Sequence, residues 1–150
     1  MITIRKAEPR HIDVLIDFQQ RLAMESENVV LNGDTLRKGM EAMFEDSRKG
    51  LYYIASDGDE VVGCHMITYE WSDWRNGMVW WLQSVYVKES HRKMGIFKMM
   101  YDNVITMIKN DPNLIALRLY VDKSNERAMK VYAAMGMDGS HYTVYEWIKG

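Results

Sequence analysis

The sequence predicts an α+β fold in which a mixed, mostly antiparallel sheet is flanked by helices. The turn sequences Asp57-Gly58 and Asn76-Gly77 join stretches rich in β-branched and aromatic residues, which is the pattern of a three-stranded meander. Apolar residues recur at helical spacing on both sides of this meander. No Pro/Ser-rich linker, internal repeat or low-complexity stretch interrupts the pattern, so we expect a single domain over residues 1–150.

The segment before the meander is predicted to hold one strand and two helices. Pro9 suits the first turn of a helix, where its missing N–H costs nothing. Asn32 and Gly33 form a loop signal, after which Asp34 is placed to cap the second helix. We expect a strand over residues 1–6 and helices over residues 9–25 and 34–46.

The meander and the C-terminal half complete the order β-α-α-β-β-β-α-β-α-β. The strand–helix–strand step after the meander implies a right-handed crossover and a parallel pair, with a ligand crevice near the carboxyl end of the strand. The predicted strands cover residues 51–56, 61–71, 78–87, 115–121 and 141–147. The predicted helices cover residues 95–110 and 124–135.

The bulk composition excludes several classes of protein. Of the 150 residues, 47% are apolar and 27% are charged, as in ordinary globular proteins. The net charge of −2 gives no reason to expect nucleic acid as a partner, and no apolar run is long enough for a membrane span. The N-terminus lacks the apolar middle of a signal peptide. Cys64 is the only cysteine, which fits a reducing compartment, so we expect a cytoplasmic protein without a membrane partner.

The junction between the long strand and the next helix carries an anion-binding pattern. Arg92 and Lys93 precede Gly95 there, at the point where the helix begins. Free N–H groups at a helix start attract anions, and a glycine lets the backbone approach a phosphate closely. The alternative is a solvated basic turn that needs a glycine only for its bend.

The segment from residue 121 to residue 137 carries a second pattern. Ser124 or Asn125 can cap a helix, and Gly136 suits its left-handed C-terminal cap. Tyr132 lies on the apolar face of that helix, where an aromatic side chain usually serves packing.

Together the two segments resemble the GNAT superfamily of acyl-CoA N-acyltransferases. The resemblance implies that the Arg-x-x-Gly turn wraps the pyrophosphate of acetyl-CoA and that the preceding strand pairs with the pantetheine arm. The four histidines and one cysteine are scattered along the chain, so we expect no metal site. The resemblance also implies that Asn125 lies beside the cofactor and that Tyr132 protonates the leaving thiolate. The implied cofactor-binding residues are Val85, Tyr86, Val87, Arg92, Lys93, Met94, Gly95, Ile96, Phe97 and Asn125.

One position departs from the family pattern, because Phe97 stands where the family has a small residue. The backbone does the cradling, so this side chain is tolerable if it turns along the stripe of Met100 and Tyr101.

The hairpin before the cofactor strand resembles the diamine and polyamine acetyltransferase branch. That branch carries an acidic pair where this chain has Gln83 and Ser84, so neither residue can serve as the base. Gln83 is expected to share a strand face with Trp81 and Val85 and to orient a water or the acceptor.

Carboxylates near the acceptor side are the remaining candidates for proton relay. Glu70 is the first of these, as a relay through water, and Asp73, Glu25 and Glu27 are further candidates. The alternative for each is a solvated carboxylate near a turn.

The other reactive side chains carry weaker patterns. Cys64 is expected to be a small buried hydrophobe, and His65 and His141 have no partner spacing that supports a base. Four tryptophans crowd the hairpin, and we expect about half of them to serve packing. They are Trp71, Trp74, Trp80 and Trp81.

We therefore expect a cytoplasmic N-acetyltransferase, forming a homodimer, that moves an acetyl group from acetyl-CoA to a small-molecule amine by direct attack. Two alternatives stay open: a protein or peptide N-acetyltransferase, and a non-catalytic acyl-CoA-binding module.

Overall fold

The computed structural model describes residues 1–150, which divide into two compact units, residues 1–119 and residues 120–150. The single domain predicted for the whole chain stays a prediction. The mixed α+β fold and the order of its elements through the last helix are confirmed. None of the helices combines the length and the apolar character that a membrane crossing needs.

The first unit is built on one five-stranded sheet, whose strands lie side by side in chain order. All neighbouring pairs are antiparallel except β4 and β5, which are parallel, as the predicted crossover requires. The strands are β1 (Ile2–Lys6), β2 (Leu51–Asp57), β3 (Glu60–Ser72), β4 (Gly77–Val87) and β5 (Leu114–Leu119).

Three α-helices of the first unit accompany this sheet. They are α1 (Ile12–Glu27), α2 (Gly33–Glu45) and α3 (Ile96–Asn110). Short 3₁₀ turns at Pro9–His11 and Glu89–His91 lead into α1 and the turn before α3. The second helix begins one residue earlier than expected, because the Asn32 side chain, rather than Asp34, caps it by accepting from the Thr35 N–H at 3.0 Å.

Two apolar clusters pack on the sheet, formed by different helices. The first joins α1 and α2 to the middle strands through buried residues: Leu15, Phe18, Met40, Met43, Tyr52, Ile54, Cys64 and Tyr86. The second joins α3 to the sheet through Ala55, Val62, Ile96 and Met100, with Val85, Val87 and Phe97 packed against them. Both faces of the sheet are therefore covered by helices, and alternate residues of β4 point into different clusters.

The second unit contains one helix, α4 (Glu126–Ala134). Asn125 caps its start by accepting from the Ala128 N–H at 3.1 Å. Gly136, with φ of 93°, ends it in the left-handed conformation, and the Met137 N–H donates to the Tyr132 carbonyl at 3.0 Å. Asn125 is one of the two N-cap residues that the sequence allows, and Gly136 ends the helix as the sequence predicts.

The strand predicted for residues 141–147 is wrong, because no strand or helix follows α4. The alternation of apolar and polar residues in this tail is a local signal, whereas a strand exists only when a second strand pairs with it. The side chains of Tyr145 and Trp147 are 94% and 87% exposed, so the tail buries little of its apolar surface in this chain.

Candidate active site

The edge of β4 opens where β5 ends. The parallel pairing runs from Met78 opposite Leu114 to Leu82 opposite Leu119, and β4 continues to Val87 with β3 as its only strand neighbour. Backbone groups along residues 83–87 therefore have no strand partner on that side. An extended ligand with amide groups can pair with such an edge, as expected for the predicted cofactor strand.

A β-bulge interrupts this same stretch of β4. Cys64 pairs with Tyr86 and Met66 with Gln83, so Ser84 and Val85 together face the single residue His65 on β3. Ser84 takes the left-handed conformation with φ of 56°, which is uncommon for a serine.

The bulge changes which side chains share a face. Trp81 and Gln83 lie on one face, but Val85 packs into the cluster of α3 on the other. The expectation that Gln83 and Val85 share a face is wrong, because the extra residue shifts the alternation by one. Gln83 instead donates from Nε2 to Oγ1 of Thr68, which lies opposite Trp81, at 2.7 Å.

The turn after β4 leads directly into the start of α3. Lys93 and Gly95 both have positive φ, of 65° and 77°. Gly95 is the N-terminal boundary residue of α3, no side chain caps the helix, and a Cβ added at Gly95 would meet nothing within 4 Å. The N–H groups of the first helical turn therefore have no side-chain cap, which leaves them available to bind an anion.

The side chains next to Gly95 differ in their burial. Ile96 is buried, and Met94 is exposed. Phe97 packs on the second cluster with its ring centroid 6.3 Å from that of Tyr101, which meets the condition under which a large side chain is tolerable at this position.

Arg92 is anchored by the protein itself. Its Nε donates to the Val87 carbonyl at 2.9 Å, and its Nη2 lies 2.8 Å from Oε1 of Glu25. The guanidinium also sits over the Tyr86 ring, 5.3 Å from its centroid. Burial alone would raise the pKa of Glu25, but hydrogen bonds from Arg92 and Tyr86 outweigh it and lower the pKa. Glu25, a candidate for binding the ammonium group, is therefore paired within the first unit.

Glu70 is also held in place. Oε1 of Glu70 accepts from Nε1 of Trp81 at 2.9 Å, and Nη1 of Arg118 donates to both carboxylate oxygens at 3.0 and 2.9 Å. The hydrogen bond from Trp81 and then the charge of Arg118 lower the pKa of Glu70, although partial burial opposes them. Glu70 is thus a weak base at neutral pH.

Asn125 and Tyr132 lie in the second unit. Oδ1 of Asn125 serves as the cap of α4, and Tyr132 is half-buried on the helix. Their roles toward a cofactor stay predictions.

The remaining candidates are less suited to catalysis. Burial raises the pKa of Cys64 to about 12, which keeps its thiol protonated, and lowers the pKa of His65 to about 4. His141 pairs with the exposed Asp138 at 3.2 Å. Four of the remaining side chains are exposed: Trp71, Trp74, Asp73 and Glu27. The other two tryptophans of the hairpin, Trp80 and Trp81, are half-buried. No group of three His, Cys, Asp or Glu residues lies close enough together to hold a metal.

Three residues of this region escaped the sequence analysis: Gln19, Thr68 and Arg118. Arg118 carried a signal, because it is the only charged residue in an otherwise apolar strand. Gln19 carried a weaker one, as a polar residue next to the buried Phe18 on α1. Nothing in the sequence set Thr68 apart.

A family model covers the turn, the strand before it and the helix that bears Tyr132. The model of the acetyltransferase (GNAT) family matches residues 19–137, which is most of the chain. The chain belongs to the GNAT family of acetyltransferases. The family resemblance of the two motif segments is therefore confirmed. No curated protein sequence matches this GNAT chain.

Solved structures agree with this assignment. A "possible acetyltransferase" from Clostridium difficile 630 is 40% identical and superposes with a TM-score of 0.94, covering 99% of this chain and 98% of that one. A "predicted acetyltransferase with acetyl-CoA" from Clostridium acetobutylicum is 19% identical, with a TM-score of 0.77 over 97% and 96% of the two chains. Glucosamine-6-phosphate N-acetyltransferase from Arabidopsis thaliana is 14% identical, with a TM-score of 0.73 over 99% of each chain. The last two, at this identity, are similar in fold.

Proposed function

We propose that this GNAT chain transfers the acetyl group of acetyl-CoA to the amine of a small molecule by direct attack. The proposal depends on two features that follow one another along the chain. The open edge of β4 over residues 83–87 runs through a short turn into the uncapped start of α3 at Gly95. An extended amide-bearing arm followed by a pyrophosphate matches this sequence of an open strand edge and an anion site.

Each part of the cofactor is assigned to a part of the chain. The backbone of Val85, Tyr86 and Val87 pairs with the pantetheine arm, and the N–H groups of residues 92–97 hold the pyrophosphate. Asn125 lies beside the cofactor in this proposal, by its match to the family motif. The thioester supplies an activated acyl group, and N–H groups of β4 polarise its carbonyl.

Proton transfer in the proposal involves few residues. The amine attacks as the free base, and Tyr132 gives its hydroxyl proton to the departing thiolate. The proton that the nitrogen loses after attack returns through water to the Tyr132 oxygen, so the hydroxyl is restored. Gln83, held by Thr68, orients the acceptor or a water. Glu70 has no proton-relay role in this proposal, because its pKa is lowered. Its hydrogen bonds to Trp81 and Arg118 favour a role in positioning these two side chains beside the acceptor.

Binding of the cofactor is tested by thermal unfolding with and without CoA. A ligand that binds only the native state raises the melting temperature. Gly95→Asp adds a negative charge against the pyrophosphate and should abolish the shift. Gly58→Asp is the matched control, because Gly58 also has positive φ and open space around its Cβ position, but lies in the β2–β3 turn.

The acceptor is tested by the release of free thiol from acetyl-CoA with a panel of small amines, amino acids and peptides. Turnover with small amines supports the proposal, and turnover with peptides alone would replace it by the peptide-modifying alternative. Binding of CoA without thiol release from any acceptor would support a non-catalytic acyl-CoA-binding module. A melting temperature unchanged by millimolar CoA would overturn the cofactor assignment.

We propose further that two copies of the chain associate through the tail after α4. Several of its apolar side chains are exposed, namely Tyr142, Tyr145, Trp147 and Ile148. A symmetric dimer would cover both tails at once. Light scattering after size exclusion should give a dimer for the wild type and a monomer for a Tyr145→Ser, Trp147→Ser variant; a monomeric wild type would exclude the dimer. The cytoplasmic location stays a prediction that rests on the single, buried Cys64 thiol.

A further inference from the structure

The carbonyl of Ser84, at the bulge of β4, is bound by buried side chains from outside its own strand. Nε2 of Gln19 on α1 donates to this oxygen at 3.2 Å, and the Cys64 thiol on β3 donates to it at 3.6 Å. Gln19 is only 7% exposed, and its Nε2 lies 3.6 Å from the Cys64 sulfur. The carbonyl is therefore turned out of the β-ladder and toward α1.

The side chain of Ser84 also interacts with the hydroxyl of Tyr52, which lies almost fully buried on β2. Burial raises the pKa of both Tyr52 and Cys64, so these groups stay uncharged at neutral pH. The neutral side chains of Gln19 and Cys64 thus bind the carbonyl of Ser84 from outside its own strand.

The conformation that they hold is a strained one. A serine at positive φ is disfavoured because its Cβ approaches the backbone, and such a residue persists only where its surroundings over-determine it. The peptide is trans, so turning the Ser84 carbonyl toward α1 points the Val85 N–H the opposite way. This peptide lies in the stretch of β4 that β5 leaves open.

We propose that Gln19 is a positioning residue for acetyl transfer, acting by holding the Ser84–Val85 peptide in its bulged orientation. The inference rests on the proposed function, since it gives this peptide a place beside the thioester. Gln19 does not itself touch the substrates. Its hydrogen bond offsets the strain at Ser84 and keeps the open backbone of β4 preorganised for the charge that develops on the thioester carbonyl.

The role of Gln19 should affect kcat and the KM for acetyl-CoA differently. In the proposed function the CoA part of the substrate is bound by the phosphate turn and by the backbone of residues 85–87, whereas Gln19 donates to the carbonyl of Ser84. The orientation of one peptide beside the reacting carbonyl matters in the transition state and little in the ground state. Loss of the Gln19 amide should therefore lower kcat and leave the KM for acetyl-CoA nearly unchanged.

The test replaces Gln19 by methionine, which keeps the length of the side chain and removes the donor. We expect kcat to fall at least tenfold, with the KM for acetyl-CoA and the CoA-induced rise in melting temperature retained. Ser84→Gly in the Gln19→Met background should restore part of kcat, because glycine takes positive φ at no steric cost. Tyr53→Phe is the matched control: it removes a hydrogen bond to Met107 from the opposite face of β2 and should leave kcat unchanged.

A crystal structure of Gln19→Met gives a readout that does not depend on turnover. The inference requires Ser84 to leave the left-handed region or to show two conformations. It is overturned if Ser84 keeps its positive φ, or if kcat stays within twofold of the wild type. A wild-type protein that fails to bind CoA would overturn the proposed function instead, and the Ser84 conformation would still report on the hydrogen bond.

Discussion

Nη2 of Arg92 lies 2.8 Å from Oε1 of Glu25, so the first residue of the phosphate turn is tied to the last turn of α1. The Nε of the same guanidinium donates to the Val87 carbonyl, at the end of the open strand edge. The side chain of Arg92 therefore serves the shape of the turn, and the backbone of the turn is left to meet the phosphates.

Arg92→Lys keeps the charge but cannot make both contacts, because an ammonium lacks the planar fork of a guanidinium. We expect the Kd for CoA, measured by calorimetry, to rise about tenfold, since a looser turn must be ordered on binding. Arg48→Lys is the control, because Arg48 pairs with Asp46 outside the phosphate turn, and it should bind CoA as the wild type does. An unchanged Kd in Arg92→Lys would show that the anchor is dispensable.

Tyr132→Phe keeps the packing of α4 and removes only the hydroxyl. If the hydroxyl is the acid for the thiolate, kcat should fall by roughly ten- to a thousand-fold, within the usual range of general acid catalysis. The affinity for acetyl-CoA should barely move. Equal turnover in the two proteins would assign Tyr132 to packing, the alternative that its place on an apolar helix face suggests.

The pH dependence of the wild type should follow the acceptor amine. Hydrogen bonds from Trp81 and Arg118 lower the pKa of Glu70, so this carboxylate gives no plateau near neutrality. We expect kcat/KM to climb about tenfold per pH unit up to the pKa of the amine. A plateau between pH 6 and pH 8 would reveal an enzyme base that the structure does not identify.

Gln83→Glu introduces a carboxylate beside Thr68 at the position where the diamine-acetylating branch is acidic. The new charge should raise activity near pH 7 and favour more cationic acceptors, through attraction in a partly dry cleft. Measured kcat/KM for a monoamine and a diamine at pH 7 gives the comparison. If both the pH profile and the acceptor preference stay as in the wild type, Gln83 lies outside the acceptor site.

His65 should make the protein sensitive to acid. It is buried, stacks on Tyr53 with ring centroids 5.2 Å apart, and neither ring nitrogen has a hydrogen-bond partner. Burial lowers the pKa of His65 from 6.5 to about 4. Between pH 6.5 and pH 4, His65 is therefore protonated in the unfolded chain and neutral in the folded chain. Its contribution to stability is complete above pH 6.5 and is lost as the pH falls to 4.

Urea unfolding at pH 7 and pH 4.5 measures this effect. Between pH 7 and pH 4.5, the free energy of unfolding should fall by about 2 kcal/mol more in the wild type than in His65→Phe, because phenylalanine cannot take up the proton. His141→Phe is the control, because His141 is exposed and should leave the difference unchanged. If the free energy of unfolding falls equally in His65→Phe and the wild type, His65 is not the source of the acid sensitivity.

Most of the fold could be predicted from short-range patterns. Asp57-Gly58 and Asn76-Gly77 mark the turns of the meander, and Gly136 after α4 adopts the left-handed conformation expected of it. The family motif around Gly95 and Tyr132 was readable for the same reason: it depends on residue types at fixed spacing. Turn, cap and helix preferences act over a few residues, so the sequence alone carries them.

Other features depend on groups that meet from distant parts of the chain. The bulge at Ser84 places Gln83 and Val85 on opposite faces, although their spacing of two residues predicts one face. Glu25, Glu70 and the Ser84 carbonyl each have a hydrogen-bond or ion-pair partner far along the chain, namely Arg92, Arg118 and Gln19. These partners hold two candidate carboxylates and the serine carbonyl in place. The tail of residues 141–147 alternates like a strand and forms none. Strand pairing and buried hydrogen bonds are long-range contacts whose cost and gain are settled only when the whole sheet assembles, so only the tertiary structure decided them.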